Sequence, residues 1–200
     1  MNGLRIVRYI LWGVVAVAAV AVAAVFFLSK QGDGPILAGA TIGGPFHLVD
    51  HNGNAVTEAD LKGHPTAMFF GYTLCPDICP TTLYDMTTLM EQLGPDADQL
   101  KVYFVSVDPE RDTREVLAEY MSAFDPRFVG LTGTRAEVDE IIKNYRVYAR
   151  KVEQESGPYL MDHTAGVYLL DDTGTLTGTI DYHENSETSL AKLKRLIGSS

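Results

Sequence analysis

The chain has 200 residues, of which 46% are hydrophobic and 21% are charged, and its formal net charge at pH 7 is −10. All 26 acidic residues follow position 30, together with 13 of the 16 basic ones, so residues 31–200 carry a net charge of −13. Nucleic-acid binding rests on neutralising phosphates with basic residues, so this balance argues against a nucleic-acid partner. Residues 31–200 are enough for one domain with a real core.

The first predicted element is a membrane-spanning helix over residues 10–28. This stretch has nineteen residues and no charge. As a helix it would span about 28 Å, close to the ~30 Å hydrocarbon core of a bilayer. Arg5 and Arg8 precede it and only Lys30 follows closely, so the positive-inside rule leaves residues 1–9 in the cytoplasm. We therefore predict a single-pass protein of a bacterial inner membrane, with its soluble domain in the periplasm.

A cleaved signal peptide is the alternative for this N-terminal segment, because Ala38-Gly39-Ala40 resembles a small-residue cleavage site. The apolar stretch is longer than the ~7–15 residues usual in a signal peptide, and it lies well upstream of that triplet, so a retained anchor is favoured. Both possibilities export the rest of the chain. Residues 29–41, which contain several Gly and Ala, are predicted to be a linker, and residues 42–198 a folded domain.

Strand patterns recur along the folded domain. Asn52-Gly53 lies between two alternating stretches and predicts a β-hairpin, while short apolar runs predict buried strands. The predicted strands lie in PFHLVDHNGNAVT (45–57, a hairpin), TAMFFGYT (66–73), KVYFVSVD (101–108), FVGLTG (128–133), VYARKV (147–152, an edge strand) and GVYLLDDTGTLTGTI (166–180, two strands).

Helix patterns alternate with these strands. Four sets of apolar residues have helical spacing: Leu83, Met86, Met90 and Leu93; Val116, Leu117, Tyr120, Met121 and Phe124; Val138, Ile141, Ile142 and Tyr145; and Leu190, Leu193 and Ile197. Asp112 or Thr113 is expected to cap the second helix, and Thr134 with Glu137 forms a capping box at the third. The order of elements predicts an α/β protein: a thioredoxin-like mixed sheet flanked by helices, with an N-terminal β-hairpin.

The only two cysteines, Cys75 and Cys79, lie in GYTLCPDICPTTL between a predicted strand and a helix. A disulfide between them would close a very short loop and would stabilise the domain little, so the pair is more plausibly there for chemistry. A helix N-terminus favours the thiolate, which is both the nucleophile and the metal ligand. Thioredoxin-type redox couples have two intervening residues, whereas this loop has three. Such a loop can hold two thiolates on one ion or close a disulfide.

Two thiolates suit a soft ion such as Cu(I), and an imidazole is the obvious third ligand. Of the five histidines, His163 differs from the others because it precedes an apolar strand in MDHTAGVYLL. In a thioredoxin-like sheet this loop faces the cysteine loop, and oxidoreductases of this fold carry a proline there. The nearest proline here is Pro158. Position alone leaves His163 equally a ligand or an ordinary loop histidine.

Two aspartates are candidates for supporting roles around this site. Asp77 lies inside the cysteine loop, where we favour an N-cap for the following helix over an approach to the metal. Asp162 is a candidate to orient the imidazole of His163 by accepting a hydrogen bond, with an ordinary turn aspartate as the equal alternative. Met86 and Met90 are soft donors, but they lie on an apolar helix stripe, so core packing is favoured.

Five segments together carry a family resemblance: GYTLCPDICPTTL, VSVDPERDT, FVGLTGT, YRVYARK and DHTAGVYLLD. Over residues 42–197 the chain resembles the Sco/SenC family of membrane-anchored copper chaperones. The resemblance implies one copper ion, as Cu(I) or Cu(II), bound by Cys75, Cys79 and His163. It also implies delivery to the dinuclear copper centre of cytochrome c oxidase, so the expected partners are the copper-bearing oxidase subunit, the membrane and a candidate periplasmic copper donor.

A chaperone of this kind is a binding and transfer protein, not an enzyme. The alternative is a periplasmic thiol–disulfide oxidoreductase that keeps oxidase-subunit cysteines reduced for copper loading, with Cys75 and Cys79 as its redox-active disulfide. His163 discriminates between the two, because copper transfer needs it and thiol exchange does not. A peroxidase is a weaker possibility, and a redox or copper sensor also stays open.

Overall fold

The structure, a computed structural model, describes residues 12–13 and 42–198 of the chain. None of the described helices is both long enough and apolar enough to cross a membrane. The predicted cytoplasmic tail, anchor and linker (1–9, 10–28 and 29–41) lie outside the described residues, apart from positions 12 and 13. The strands and helices of the folded domain lie within residues 42–198.

Seven of the nine strands in this region form one mixed sheet, in the spatial order β2-β1-β5-β4-β3-β8-β9. The strands are β1 (His47–Asp50), β2 (Ala55–Thr57), β3 (Thr66–Gly71), β4 (Lys101–Ser106), β5 (Phe128–Thr132), β6 (Ala149–Val152), β7 (Leu160–His163), β8 (Val167–Leu170) and β9 (Leu176–Ile180). The central strands β3, β4 and β5 run parallel, and the outer strands pair antiparallel. β3 is buried along its whole length, as expected for an apolar strand with partners on both sides.

Helices flank this sheet, and their caps agree with the local sequence. They are α1 (Ile78–Leu93), α2 (Arg114–Met121), α3 (Arg135–Asn144) and α4 (Ser186–Gly198), with short 3₁₀ helices at Glu58–Leu61 and Gly94–Gln99. The capping box of Thr134 and Glu137 is confirmed at α3. α1 packs against α4, and α2 packs against β5. This mixed α/β arrangement confirms the predicted thioredoxin-like fold with its N-terminal hairpin.

Two local predictions need correction, and one pair of alternatives is resolved. α2 ends at Met121, so Phe124 lies beyond it and packs its ring against Tyr120. Thr113 caps α2, and Asp112 does not, because its buried carboxylate already accepts hydrogen bonds from other residues. The VYARKV strand exists as β6, but it is not an edge of the main sheet. It pairs with β7, a strand that the sequence did not predict, in a separate antiparallel hairpin.

The pairing of β3 with β8 brings distant parts of the chain together. The two strands are antiparallel, with Phe69 opposite Val167, so the beginning of β8 lies beside the end of β3. The residues that follow β3 form the cysteine loop, and the residues that precede β8 include the end of β7. His163 is the last residue of β7 and not a loop residue as predicted. The topology therefore places it against Cys79, which lies 84 residues earlier in the chain.

Candidate metal centre

Cys75, Cys79 and His163 form one cluster, in which the ligand atoms all lie within 4.8 Å of one another. Cys79 is fully buried at the first turn of α1, Cys75 is buried in the loop before it, and His163 is half-buried at the end of β7. Cys79 Sγ lies 3.3 Å from His163 Nε2, and both thiols are free in this structure. Two sulfurs and one imidazole nitrogen are a donor set for a soft ion such as Cu(I).

The start of α1 holds the Cys75 sulfur beside free backbone amides. The amide of Cys79 points to Cys75 Sγ at 3.4 Å, so the sulfur accepts a hydrogen bond from the helix N-terminus. Asp77 occupies the N-cap position, but its side chain makes no capping hydrogen bond. Its carboxylate instead accepts from the hydroxyl of Thr81 at 3.4 Å. The predicted Asp77 side-chain cap is therefore wrong, because the sulfur takes the role expected of the carboxylate.

The two cysteines have opposite protonation preferences. The Cys79 thiol donates to the Cys75 sulfur, and this hydrogen bond is the largest cause that lowers the pKa of Cys75 to about 3. Burial opposes that shift, whereas His163 and the amides of Asp77 and Cys79 add to it. Burial in the core is the largest cause that raises the pKa of Cys79 above its ordinary value. Without a metal, the pair is therefore a Cys75 thiolate beside a Cys79 thiol.

The backbone around β7 orients the imidazole. His163 Nδ1 lies 2.9 Å from the carbonyl oxygen of Thr164, which can only accept, so Nδ1 donates to it and Nε2 is the nitrogen that faces the sulfurs and a metal. Asp162 does not orient this ring. Its side chain is exposed, since successive strand residues point to opposite sides, and it lies 3.9 Å from Arg150. Of the two alternatives for Asp162, the role of orienting the imidazole is therefore wrong, because the ring pairs with the Thr164 carbonyl instead.

Aromatic rings and one glycine form the wall of the site. Phe69 and Tyr72 meet the His163 ring edge-on, with ring centroids 6.1 and 5.8 Å away. Gly71 ends β3 directly beneath Cys79, and a Cβ there would lie only 2.7 Å from Cys79 Sγ. The glycine therefore allows the thiol to approach the strand. The opposite side is an open cleft of about 430 Å³, lined by Tyr72, Cys75, Pro76, Asp77, Ile78, Tyr148, Leu160, Met161, Asp162 and His163.

The buried carboxylate of Asp112 supports the cysteine loop, a role that the sequence did not predict for it. Asp112 is fully buried and accepts from the Thr73 hydroxyl and the Ser106 hydroxyl, each at 2.6 Å. It also accepts from the Thr73 amide at 3.2 Å. Burial is the main cause that raises its pKa. The available signal was its position in DPERDT directly after a buried strand, where side chains gather in open α/β sheets.

The other candidate donors lie elsewhere. Met86 and Met90 are buried in the core, as predicted. His51 Nδ1 accepts from the Gly130 amide at 3.0 Å, and His64 lies before the opposite end of β3. Within the described part of the chain, no other group of three His, Cys, Asp or Glu could hold a metal ion.

The comparisons with known proteins agree with this fold. The SCO1/SenC family model matches residues 35–198. The mitochondrial SCO1 homolog 1 of Arabidopsis thaliana is 42% identical over 140 residues, covering 69% of this chain and 42% of the relative. A SCO2-like protein of Rickettsia prowazekii is 39% identical over 135 residues, covering 66% of each. The chain thus spans between about two fifths and two thirds of the length of these relatives.

Solved structures give the same result. ScoI of Bradyrhizobium japonicum, determined with copper bound, has a TM-score of 0.73 and 49% identity, covering 78% of this chain and 99% of that one. Yeast Sco1 with copper bound has a TM-score of 0.73 and 36% identity, covering 80% and 90%. Fold and site together define a thioredoxin-like protein with a two-cysteine, one-histidine cluster. The chain belongs to the SCO1/SenC family.

Proposed function

We propose that this protein is a membrane-anchored copper chaperone of a bacterial inner membrane. It binds one copper ion through Cys75, Cys79 and His163 and delivers it to the dinuclear copper centre of cytochrome c oxidase. The observation that carries this proposal is the cluster of two sulfurs and one imidazole at an open cleft. The copper-bound relatives support the choice of metal, and the uncharged stretch over 10–28 supports the anchor.

The geometry suits a protein that must release its metal. Three donors leave a copper ion open to a further ligand, and the cleft gives an incoming thiolate or imidazole of the recipient a route to it. Cys79 is fully buried, whereas His163 is half-buried at the cleft wall. We infer that the recipient displaces His163 first and the buried thiolate last.

A thiol–disulfide oxidoreductase is the second candidate, because the lowered pKa of Cys75 gives a thiolate beside the cleft. Such an enzyme would reduce the cysteines of the oxidase subunit before copper loading. Its chemistry needs the two sulfurs and a suitable reduction potential, and it does not need an imidazole ligand. His163 therefore separates the two functions.

Copper transfer tests the proposal directly. The copper-loaded 200-residue chain in detergent is mixed with the reduced, copper-free domain of the oxidase copper-bearing subunit, and the spectrum of the dinuclear centre is followed. We expect the centre to form with the parent and with His64→Ala, a control at the other end of β3, but not with His163→Ala.

A separate assay tests the thiol–disulfide oxidoreductase. The same recipient with oxidised cysteines is mixed with the reduced chain in the absence of copper, and the release of free thiols is measured. Failure of the parent to load copper, together with thiol release at equal rates by the parent and His163→Ala, would overturn the chaperone in favour of the oxidoreductase.

A further inference from the structure

The histidine of the metal centre is carried by a hairpin that is not part of the main sheet. Within the described residues, β7 pairs only with β6, whereas both cysteines follow β3, one of the central strands of the main sheet. A two-stranded hairpin is at best marginally stable by itself. The distance between His163 and Cys79 therefore depends on contacts that fix this hairpin to the rest of the domain.

Arg111 makes several of these contacts. Its Nε forms an ion pair with Asp108, and its Nη1 donates to the carbonyl oxygen of Tyr159 at 2.9 Å, directly before β7. The guanidinium also stacks on the Tyr159 ring, 3.5 Å from its centroid. The Tyr159 hydroxyl in turn donates a hydrogen bond to Asp108 at 2.9 Å, so the three side chains form one network. Arg111 thus contacts both the backbone and the side chain of Tyr159, the residue directly before β7.

The same segment of chain also holds the cysteine loop. Asp112, the next residue, accepts hydrogen bonds from the hydroxyl and the amide of Thr73, two residues before Cys75. Arg111 further lies 5.7 Å from the centroid of the Tyr72 ring, which meets His163 edge-on. Residues 108–113 therefore contact both the segment that leads into the cysteine loop and the residue that precedes the histidine strand.

We propose that Arg111 is a positioning residue of the metal site, which clamps the β6–β7 hairpin against residues 108–113 and so sets the distance from His163 to the cysteines. This inference rests on the proposed function for its effect on copper, but the clamp itself is a property of the metal-free chain. Asp108 is almost fully buried and Arg111 largely so, with side-chain exposures of 3% and 18%, so the pair is shielded from solvent. A charge-assisted, stacked contact in such surroundings is stronger than a surface ion pair.

Arg111→Lys is the sharpest substitution to test this clamp. It leaves a cation for Asp108, so the buried carboxylate keeps its partner, but it removes the planar fork that reaches Tyr159. Tyr159→Ala provides a second route, because it deletes the stacked ring and the hydroxyl while the ion pair remains. Arg127→Lys is the matched control, since the guanidinium of Arg127 pairs with Asp125 and Asp98, neither of which belongs to the hairpin.

Two measurements on the 200-residue chain decide the proposal. We expect Arg111→Lys and Tyr159→Ala to lower Cu(I) affinity at least tenfold, and to cause no further loss when combined with His163→Ala. In the metal-free chain, amide exchange in β6 and β7 should become at least tenfold faster, with β3 and β4 unchanged. The control variant should change neither quantity.

Opposite results would overturn the clamp. One such result is that Arg111→Lys and Tyr159→Ala both keep the Cu(I) affinity of the parent. Another is that they lose only as much affinity as the Arg127→Lys control, or that their loss of affinity adds fully to the loss caused by His163→Ala. A parent chain that binds no copper overturns the proposed function instead. The exchange measurement then decides the clamp alone, and unchanged exchange in β6 and β7 would refute it.

Discussion

Replacement of Gly71 by alanine is expected to damage the metal centre by a calculable displacement. A Cβ at position 71 would lie 2.7 Å from Cys79 Sγ and 2.7 Å from the Phe104 ring, whereas ordinary contacts begin at 3.4 Å. With the backbone of β3 in place, the sulfur must move by about 0.3 Å to reach a tight contact and by about 0.7 Å to reach an ordinary one. Metal–ligand distances tolerate only about 0.2 Å, so Gly71→Ala should weaken Cu(I) binding at least tenfold.

The same substitution should also destabilise the fold. Gly71 is buried in the middle layer and does not have a positive φ, so alanine suits its backbone and the steric clash dominates. Overpacking of this kind typically costs about 1–3 kcal/mol in the free energy of unfolding. A loss of affinity alone would therefore not prove that the sulfur had moved.

Gly130→Ala is the control that separates these effects. A Cβ at position 130 would lie 2.7 Å from Leu117 Cγ and 2.9 Å from Met121 Cγ, a comparable clash far from the cysteines in the chain and in contact with α2. Cu(I) competition titration and urea unfolding should show similar destabilisation in both variants, but weaker copper binding only in Gly71→Ala. Equal copper affinities in the two variants would refute the reasoning.

Three further predictions concern the cysteine loop. Because the pKa of Cys75 is lowered to about 3, alkylation of the reduced, metal-free chain should modify Cys75 before Cys79. The alkylation rate should be nearly independent of pH above about pH 5 and should fall towards pH 3. A rate that still rises steeply near pH 8 would contradict this prediction. Asp77→Ala should cost clearly less than the ~1 kcal/mol typical of a lost N-cap, whereas Thr134→Ala should cost about that much in urea unfolding; equal losses would restore the Asp77 cap. Oxidation of the cysteine pair should abolish copper binding and dithiothreitol should restore it, and copper binding by the oxidised chain would show that the sulfurs are not ligands.

The sequence predicted the elements of the main sheet because their signals are local. Asn52-Gly53 specifies a hairpin, and the TAMFFGYT run is largely apolar because β3, which forms its first six residues, is buried throughout. The cysteine pair at the start of α1 was visible for the same reason, since strand, loop and helix are adjacent in the chain.

The hairpin and the details of the centre could not be predicted in this way. β7 lies outside the main sheet and is only partly buried, so it lacks the apolar alternation of a core strand. The position of His163 depends on pairing between β3 and β8, which no local pattern encodes. The contact of its ring with the Thr164 carbonyl involves a backbone atom that every residue has, whereas Asp162 attracted attention only because its carboxylate is visible in the sequence.

Cu(I) competition titration of the reduced 200-residue chain, beside His163→Ala and the control His64→Ala, tests the central claim most directly. A three-ligand centre predicts one tightly bound copper per chain, unchanged in His64→Ala and weaker by at least tenfold, about 1.4 kcal/mol, in His163→Ala. Equal binding by all three proteins, or no binding beyond that of an isolated dithiol, would contradict the copper site and leave the oxidoreductase as the better account.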